Sequence, residues 1–348
     1  MSGKRTLALV AAAALVLAAC GGGDGDGGGK SESAAFTAPK LKALDKLGTP
    51  EGQVNLVAWA GYVENGSTDK SVDWVTPFEK STGCKVNVKI AGTSDDMVSL
   101  MKTGQYDAVS ASGDASLRLI SAGDVEPVNT DLVPNYKDVF EALKMKPWNS
   151  VNGVAYGIPH GRGANLLMYR TDKVKPAPDS WSVVFDGASA YKGKVTAYDS
   201  PIYLADAAVY LMKHKPNLGI KNPYALDDKQ FKAVVDLLKA QNANIGEYWA
   251  DYLKEVQSFK AGDSVVGTAW QINVNLAQAE KTPVDAVLPS EGATGWSDTW
   301  MVATKSKHKT CAYKWLNHII SPTVNAAVAE WFGEAPSNRK ACAETVEK

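Results

Sequence analysis

An aromatic ring or a carboxylate recurs where the apolar runs of this chain end: Trp59, Tyr62, Asp114, Asp199, Trp270, Trp296 and Asp298. Aromatic faces with carboxylates at the ends of a slot suit an organic ammonium. The ring quadrupole attracts the cation, by about 0.5–2 kcal/mol per contact. The alkyl stem is buried against rings, and each ammonium requires a fixed carboxylate because an unpaired buried charge is costly. Singly, each Trp reads as core and each Asp as a turn or cap residue. Together, at strand ends in two regions, they favour a cleft. No catalytic pattern competes with that reading: there is no GxSxG, HExxH or Walker loop. His160, His214, His308 and His318 are scattered without metal-ligand spacing. Neither catalysis, a metal nor a cofactor is expected.

These residues need elements to hold them. Residues 54–59 read as a buried strand, 73–80 as a helix, and 85–90 alternate as a half-buried strand. Thr93 to Asp96 cap a helix that carries Met97, Val98, Leu100 and Met101 and stops at Gly104. A short strand at 106–109 turns through Ser112, Gly113 and Asp114 into a helix at 115–121. Strand, polar turn and helix thus occur twice, a rhythm of parallel sheets whose ligands collect beyond the carboxyl ends of the strands. Two strands around the Gly-rich His160-Gly161-Arg162-Gly163 read as a crossing to a second α/β region. That region has strands at 194–199 and 264–270 and helices at 202–213, 227–241 and 248–260. Residues 291–300 read as a second crossing, and helices at 311–320 and 323–332 close the chain.

At the other end, Lys4 and Arg5 precede an apolar run from Leu7 to Leu17, the pattern of a secretory signal, too short for a stable bilayer span of about 20 residues. The expectation is a signal peptide at 1–19 and a flexible glycine-rich leash behind Cys20. Residues 30–53 read as linker with one short helix at Leu41, Leu44 and Leu47. Removing the two basic residues of 1–19 takes Lys+Arg from 37 to 35 against 38 Asp+Glu. So mildly acidic a balance excludes a nucleic-acid footprint and a polybasic membrane patch. In an oxidising compartment two of Cys84, Cys311 and Cys342 are expected to pair. Cys311 with Cys342 is the expected bridge, leaving Cys84 as a small buried hydrophobe. An acyl-transfer enzyme with Cys84 as nucleophile is the rival of another class, and a purely structural surface lipoprotein, with no closed cleft, is a third reading.

Leu17-Ala18-Ala19-Cys20 resembles the lipobox of bacterial lipoproteins, which implies a lipidated Cys20 on the outer face of a membrane. Several short stretches, among them 111–120, 165–169, 197–203, Gly295-Trp296-Ser297-Asp298-Thr299 and 311–315, resemble the YdcS-type branch of the spermidine/putrescine-binding proteins of ABC importers. The resemblance implies a two-lobed α/β periplasmic-binding-protein fold of type II. Each lobe is then a mixed sheet flanked by helices, with the ligand cleft between them. Lobe 1 is expected at 53–157 plus 291–323 and lobe 2 at 158–290 plus 324–348. It implies a monomer that hands a polyamine-like ligand to a membrane permease with its ATPase. It also assigns Trp59 and Tyr62 as first-strand aromatics, Ser112 as a pocket serine, Asp199 and Asp298 as amine-binding acids, and Trp270 and Trp296 as aromatic walls. Four positions depart from the family: Asp114 stands for a tyrosine, Ile202 for a glutamate, Ala327 for a glutamine and Arg162 for an aromatic. A γ-amino acid with its carboxylate on Arg162 is therefore the alternative ligand.

Overall fold

A computed structural model describes residues 37–186 and 190–345. The expected signal segment, Cys20 and the leash lie outside them. Residues 37–52 contain no helix, contrary to expectation. Their groups serve tertiary partners instead: the Leu44 carbonyl accepts from Asn129 Nδ2 at 3.1 Å.

The chain then runs β1 (Gln53–Ala58), α1 (Val75–Thr82), β2 (Lys85–Ile90), α2 (Ser94–Lys102), β3 (Ala108–Ala111) and α3 (Gly113–Ala122). Strand β1 pairs in parallel with both β2 and β3. Thr93 caps α2 by accepting from the Asp96 amide at 3.1 Å, as its hydroxyl chemistry favours. Next come β4 (Val125–Glu126), the hairpin of β5 (Ser150–Val151) and β6 (Val154–Ala155), and β7 (Ile158–Ala164).

The second region holds β8 (Leu166–Arg170), α4 (Ser182–Phe185), β9 (Val195–Tyr198), α5 (Tyr203–His214), α6 (Asp228–Gln241) and β10 (Ile245–Trp249). It continues through α7 (Tyr252–Ala261), β11 (Val266–Ala269), α8 (Gln271–Ala279) and β12 (Val284–Val287). The helix expected from Tyr248 starts later, because the aromatic pair Tyr248-Trp249 finishes β10 and Asp251 caps α7 through the Leu253 amide. Helix α8 was not foreseen. Finally β13 (Gly295–Ala303), α9 (Lys309–Ile319), α10 (Pro322–Phe332) and β14 (Ala335–Pro336) return to the first region.

Two mixed sheets result. The first has the order β14-β7-β13-β3-β1-β2 with β4 on β13, and the second the order β10-β9-β11-β8-β12. Strand β13 is antiparallel to β3 and β7. The expected lobe limits therefore need correction at two places. Strand β7 and strand β14 pair with each other in the first sheet, although 158–290 and 324–348 were assigned to the second. The chain crosses at Asn165 instead, whose amide donates to the Thr294 carbonyl at 3.0 Å.

The second sheet packs on a core that includes Trp181, Phe185, Val195, Leu211 and Val234, which buries the apolar face of α5 and α6. In the first region Phe78 meets Trp315 edge-on at 5.2 Å, joining α1 to α9. Beside them the disulfide links Cys84 to Cys311, with Cα atoms 5.8 Å apart. The expected Cys311–Cys342 bridge is overturned. Cys311 lies on the buried face of α9 toward α1, whereas Cys342 is free and exposed. A disulfide-bonded Cys84 has no thiolate to offer as a nucleophile. Among the described residues no helix is long and apolar enough to cross a membrane.

Candidate ligand-binding site

The strand ends meet. Trp59 directly follows β1, Ser112 directly follows β3, Tyr198 and Trp249 close β9 and β10, and Trp270 directly follows β11. Because β13 runs antiparallel with Thr299 opposite Ala111, its opening residues lie at this same edge. That register carries Asp298 to Ser112.

Asp298 is buried, 3% exposed. Its Oδ1 accepts from the Ser112 hydroxyl at 2.6 Å and its Oδ2 from the Tyr62 hydroxyl at 2.8 Å. Burial pushes its pKa up to about 6, with Asp114 adding to the rise and the two hydroxyls opposing it. It forms no ion pair with a Lys, Arg or His among the described residues. Asp114, in the first turn of α3, accepts from Ser94 Oγ at 3.0 Å, and burial raises its pKa. Two acids thus stand together, Asp298 with no ion-pair partner among the described residues and Asp114 with only the field of Arg118, one turn further along α3.

Around them is a continuous set of rings. Trp270 lies 4.9 Å from Trp249, 5.2 Å from Tyr198, 6.0 Å from Trp59 and 6.5 Å from Phe332. Phe332 in turn meets Tyr62 at 4.9 Å and Trp296 at 5.6 Å. The rings come from both sheets, and the Tyr198 hydroxyl donates to the Gly92 carbonyl at 3.1 Å, tying the second region to the first. The indole N–H groups of Trp59 and Trp296 are buried without a protein acceptor.

The expected residues divide accordingly. Trp59, Tyr62, Ser112, Asp114, Trp270, Trp296 and Asp298 gather in one place. Asp199 does not. It is exposed at the end of β9 and lines a cavity of about 290 Å³ with Pro201, Leu204, Leu238 and Tyr248, which shares Tyr198 with the ring cluster but none of its other rings. The cause is the strand period: neighbouring side chains take opposite faces, so Tyr198 turns to the rings and Asp199 away. A larger cavity, about 730 Å³ beside Lys194, Glu247 and Lys254, includes none of the clustered rings. Arg162 is exposed with its guanidinium 5.8 Å from the centre of the Phe140 ring. Ala327 is exposed on α10.

A family model of bacterial extracellular solute-binding proteins matches residues 73–347. The chain belongs to this family. Among its relatives is the spermidine/putrescine-binding periplasmic protein of Escherichia coli (strain K12), 25% identical over 284 residues, which cover 80% of this chain and 76% of that protein. Two solved structures share the fold. The spermidine/putrescine ABC transporter substrate-binding protein PotD of Streptococcus pneumoniae gives a TM-score of 0.65 at 19% identity, covering 85% of this chain and 86% of that one. The PotD lipoprotein of Treponema pallidum gives 0.70 at 18% identity, covering 85% and 89%.

Sequence reasoning overlooked part of this solute-binding protein's candidate site. Tyr198, Trp249 and Phe332 complete the rings, and two buried groups, His160 and Glu334, stand behind Tyr62. Glu334 Oε2 is 3.1 Å from the Tyr62 hydroxyl, and the His160 ring packs on the Tyr62 ring at 4.1 Å. His160 occupies the irregularity in β7, where Asp298 pairs with Gly161 but Thr299 with Pro159. Such a bulge re-aims a side chain. The glycines around it were the available signal. A Cβ at Gly161 would overlap the Glu334 carboxyl group, and one at Gly163 would overlap the Trp296 ring.

Proposed function

We propose that this chain is the receptor of an ABC importer for a small organic cation, a putrescine- or spermidine-like polyamine. One observation carries the reading: a buried Asp298 with no cationic partner, set where aromatic rings from two sheets converge. A buried carboxylate of that kind gains most from a ligand that supplies its charge. Asp298 holds one ammonium with Ser112 and Tyr62 fixing its oxygens. Asp114 serves the other, in place of the expected Asp199. Trp59, Trp270 and Trp296 flank the alkyl chain with Tyr198 and Trp249. The names of the relatives support this chemistry.

The crossings at Asn165 and Thr294 form the hinge, and closure brings the rings together over the ligand. The closed receptor then docks on a permease driven by a cytoplasmic ATPase. It works as a monomer and needs no cofactor. Export by the segment 1–19, anchoring through lipid on Cys20 and membership of the YdcS-type branch belong to the same proposal, as does the absence of catalysis.

A second reading has one observation in its favour. The unpaired indole N–H groups of Trp59 and Trp296 are donors that an ammonium cannot satisfy and the carboxylate of a γ-amino acid can. Arg162, held over Phe140, is not needed for it.

Thermal unfolding against putrescine, spermidine, cadaverine, γ-aminobutyrate and choline tests both readings. A ligand at 100 times its Kd adds about 2.7 kcal/mol, a shift of several degrees. A rise with diamines supports the polyamine reading. A rise with γ-aminobutyrate alone transfers support to the zwitterion, and no rise with any of them contradicts both.

A further inference from the structure

Behind Asp298 the structure holds a buried polar chain whose protons can be counted. The Trp300 indole N–H donates to His160 Nδ1 at 3.1 Å, so Nδ1 bears no proton and the ring is neutral with its hydrogen on Nε2. That Nε2 lies 3.4 Å from Glu334 Oε1, and both side chains are fully buried. Glu334 Oε2 and Asp298 Oδ2 both face the Tyr62 hydroxyl, at 3.1 Å and 2.8 Å. Tyr62 has one hydrogen for two carboxyl oxygens. The second contact therefore requires a proton on one of the two acids. Asp298 accepts from two hydroxyls, those of Ser112 and Tyr62, whereas the fully buried Glu334 side chain has only the Tyr62 hydroxyl and a neutral His160 beside it. Burial also raises the Glu334 pKa strongly, with Asp298 adding to it.

Every titratable group facing this pair favours the same arrangement. Asp298 comes from β13, His160 from β7, Tyr62 from the segment after β1, Asp114 from α3 and Tyr198 from β9. None of them is a cation. Burial alone pushes His160 down to about 3. From α8, Gln271 and Asn275 reach Gly333 beside Glu334 and are uncharged.

We propose that Glu334 is the proton-holding, positioning acid of the ligand site: a neutral carboxylic acid that gives its hydrogen to the Tyr62 oxygen, so that Tyr62 gives its own to Asp298. The pair Asp298 and Glu334 then presents one negative charge and takes one ammonium. Ligand binding moves no proton off Glu334. The count of ammonium groups rests on the amine-binding reading, and the proton assignment does not.

Infrared spectroscopy of the ligand-free protein at pH 7.5 reads the assignment directly. Glu255, buried against Asn273 and also raised in pKa by burial, is removed from the comparison by using a Glu255→Gln background. The expected result is a protonated-carboxyl carbonyl band that Glu334→Gln abolishes and Asp298→Asn retains. In the unsubstituted protein, carbon-13 labelling of glutamate moves the Glu255 and Glu334 bands together and leaves any aspartic acid band in place. In the Glu255→Gln background, a band that moves with glutamate labelling and is lost in Glu334→Gln supports the assignment, and an aspartic acid band that stays put and disappears in Asp298→Asn overturns it. For function, Glu334→Gln is expected to hold the putrescine Kd within about threefold, and Glu334→Leu, which removes the group that donates to the Tyr62 oxygen, to weaken it more than about tenfold. A Glu334→Gln loss beyond about tenfold contradicts a neutral Glu334. A lack of putrescine binding by the unsubstituted protein contradicts the amine reading alone.

Discussion

The Tyr62 hydroxyl lies 2.8 Å from Asp298 although 236 positions separate the two in the chain. Strand β13, inserted antiparallel between β3 and β7, makes that contact. It brings the start of a late strand to the edge where the early parallel strands end. The candidate ligand site depends on that insertion.

Asp298→Asn removes the charge an ammonium would meet. Binding of a diamine should fall by about a hundredfold or more, as for truncating one partner of a buried charged pair. The ligand-free variant should meanwhile gain on the order of 1–3 kcal/mol at pH 7.5, because the pKa of about 6 against the usual 3.8 means that burying the ionised form costs stability. A raised midpoint together with a lost ligand response is the expected pair of results in thermal unfolding.

The same shift fixes a pH dependence. Asp298 and Asp206 are both pushed up to about 6, chiefly by burial. Between about pH 4 and 6 the folded chain holds more protons than the unfolded one, so these two acids lower stability as pH rises through that window. Diamine affinity should move the opposite way. It requires ionised Asp298 and should fall about tenfold per unit below pH 6. Calorimetric titrations at pH 5 and 7.5 give the comparison, and equal affinities at the two values would exclude Asp298 as the ammonium partner.

Trp270→Ala takes out the ring that touches Trp249, Tyr198, Trp59 and Phe332 at once. Lost cation–π contact and lost packing predict a Kd about tenfold weaker or more. Asp199→Ala, at the exposed end of β9, should leave the Kd unchanged. An Asp199→Ala loss equal to that of Asp298→Asn would restore the acid to the site.

The disulfide between Cys84 and Cys311 spans 227 positions. Replacing both with Ser should cost about 2–4 kcal/mol, visible as a lower denaturant midpoint. Cys342→Ser should cost almost nothing. Thiol labelling of the folded chain should modify Cys342 and spare Cys84 and Cys311.

Much of this was legible without coordinates. The cap at Thr93 and the apolar faces of α5 and α6 follow from local rules. So does the existence of a strand at 85–90, although as an edge strand it is mostly exposed and not half-buried. The ends of β1, β3 and β11 marked Trp59, Ser112, Asp114 and Trp270. Local rules failed where long-range pairing decides. Nothing near Cys342 tells that α9 turns Cys311 toward α1. Adjacent residues at the end of β9 differ only by the strand's phase, which chose Tyr198 over Asp199. Glu334 follows an ordinary helix stop at Gly333 and gains its role from β14 pairing with β7. Only the glycines at 161 and 163 hinted at what lay against them.

The most direct test of the central claim is calorimetric titration of putrescine into the purified protein and into Asp298→Asn at pH 7.5. Saturable one-site binding by the first and none by the second is the predicted result. Equal binding by both would contradict the assignment of Asp298 as the ammonium-holding residue.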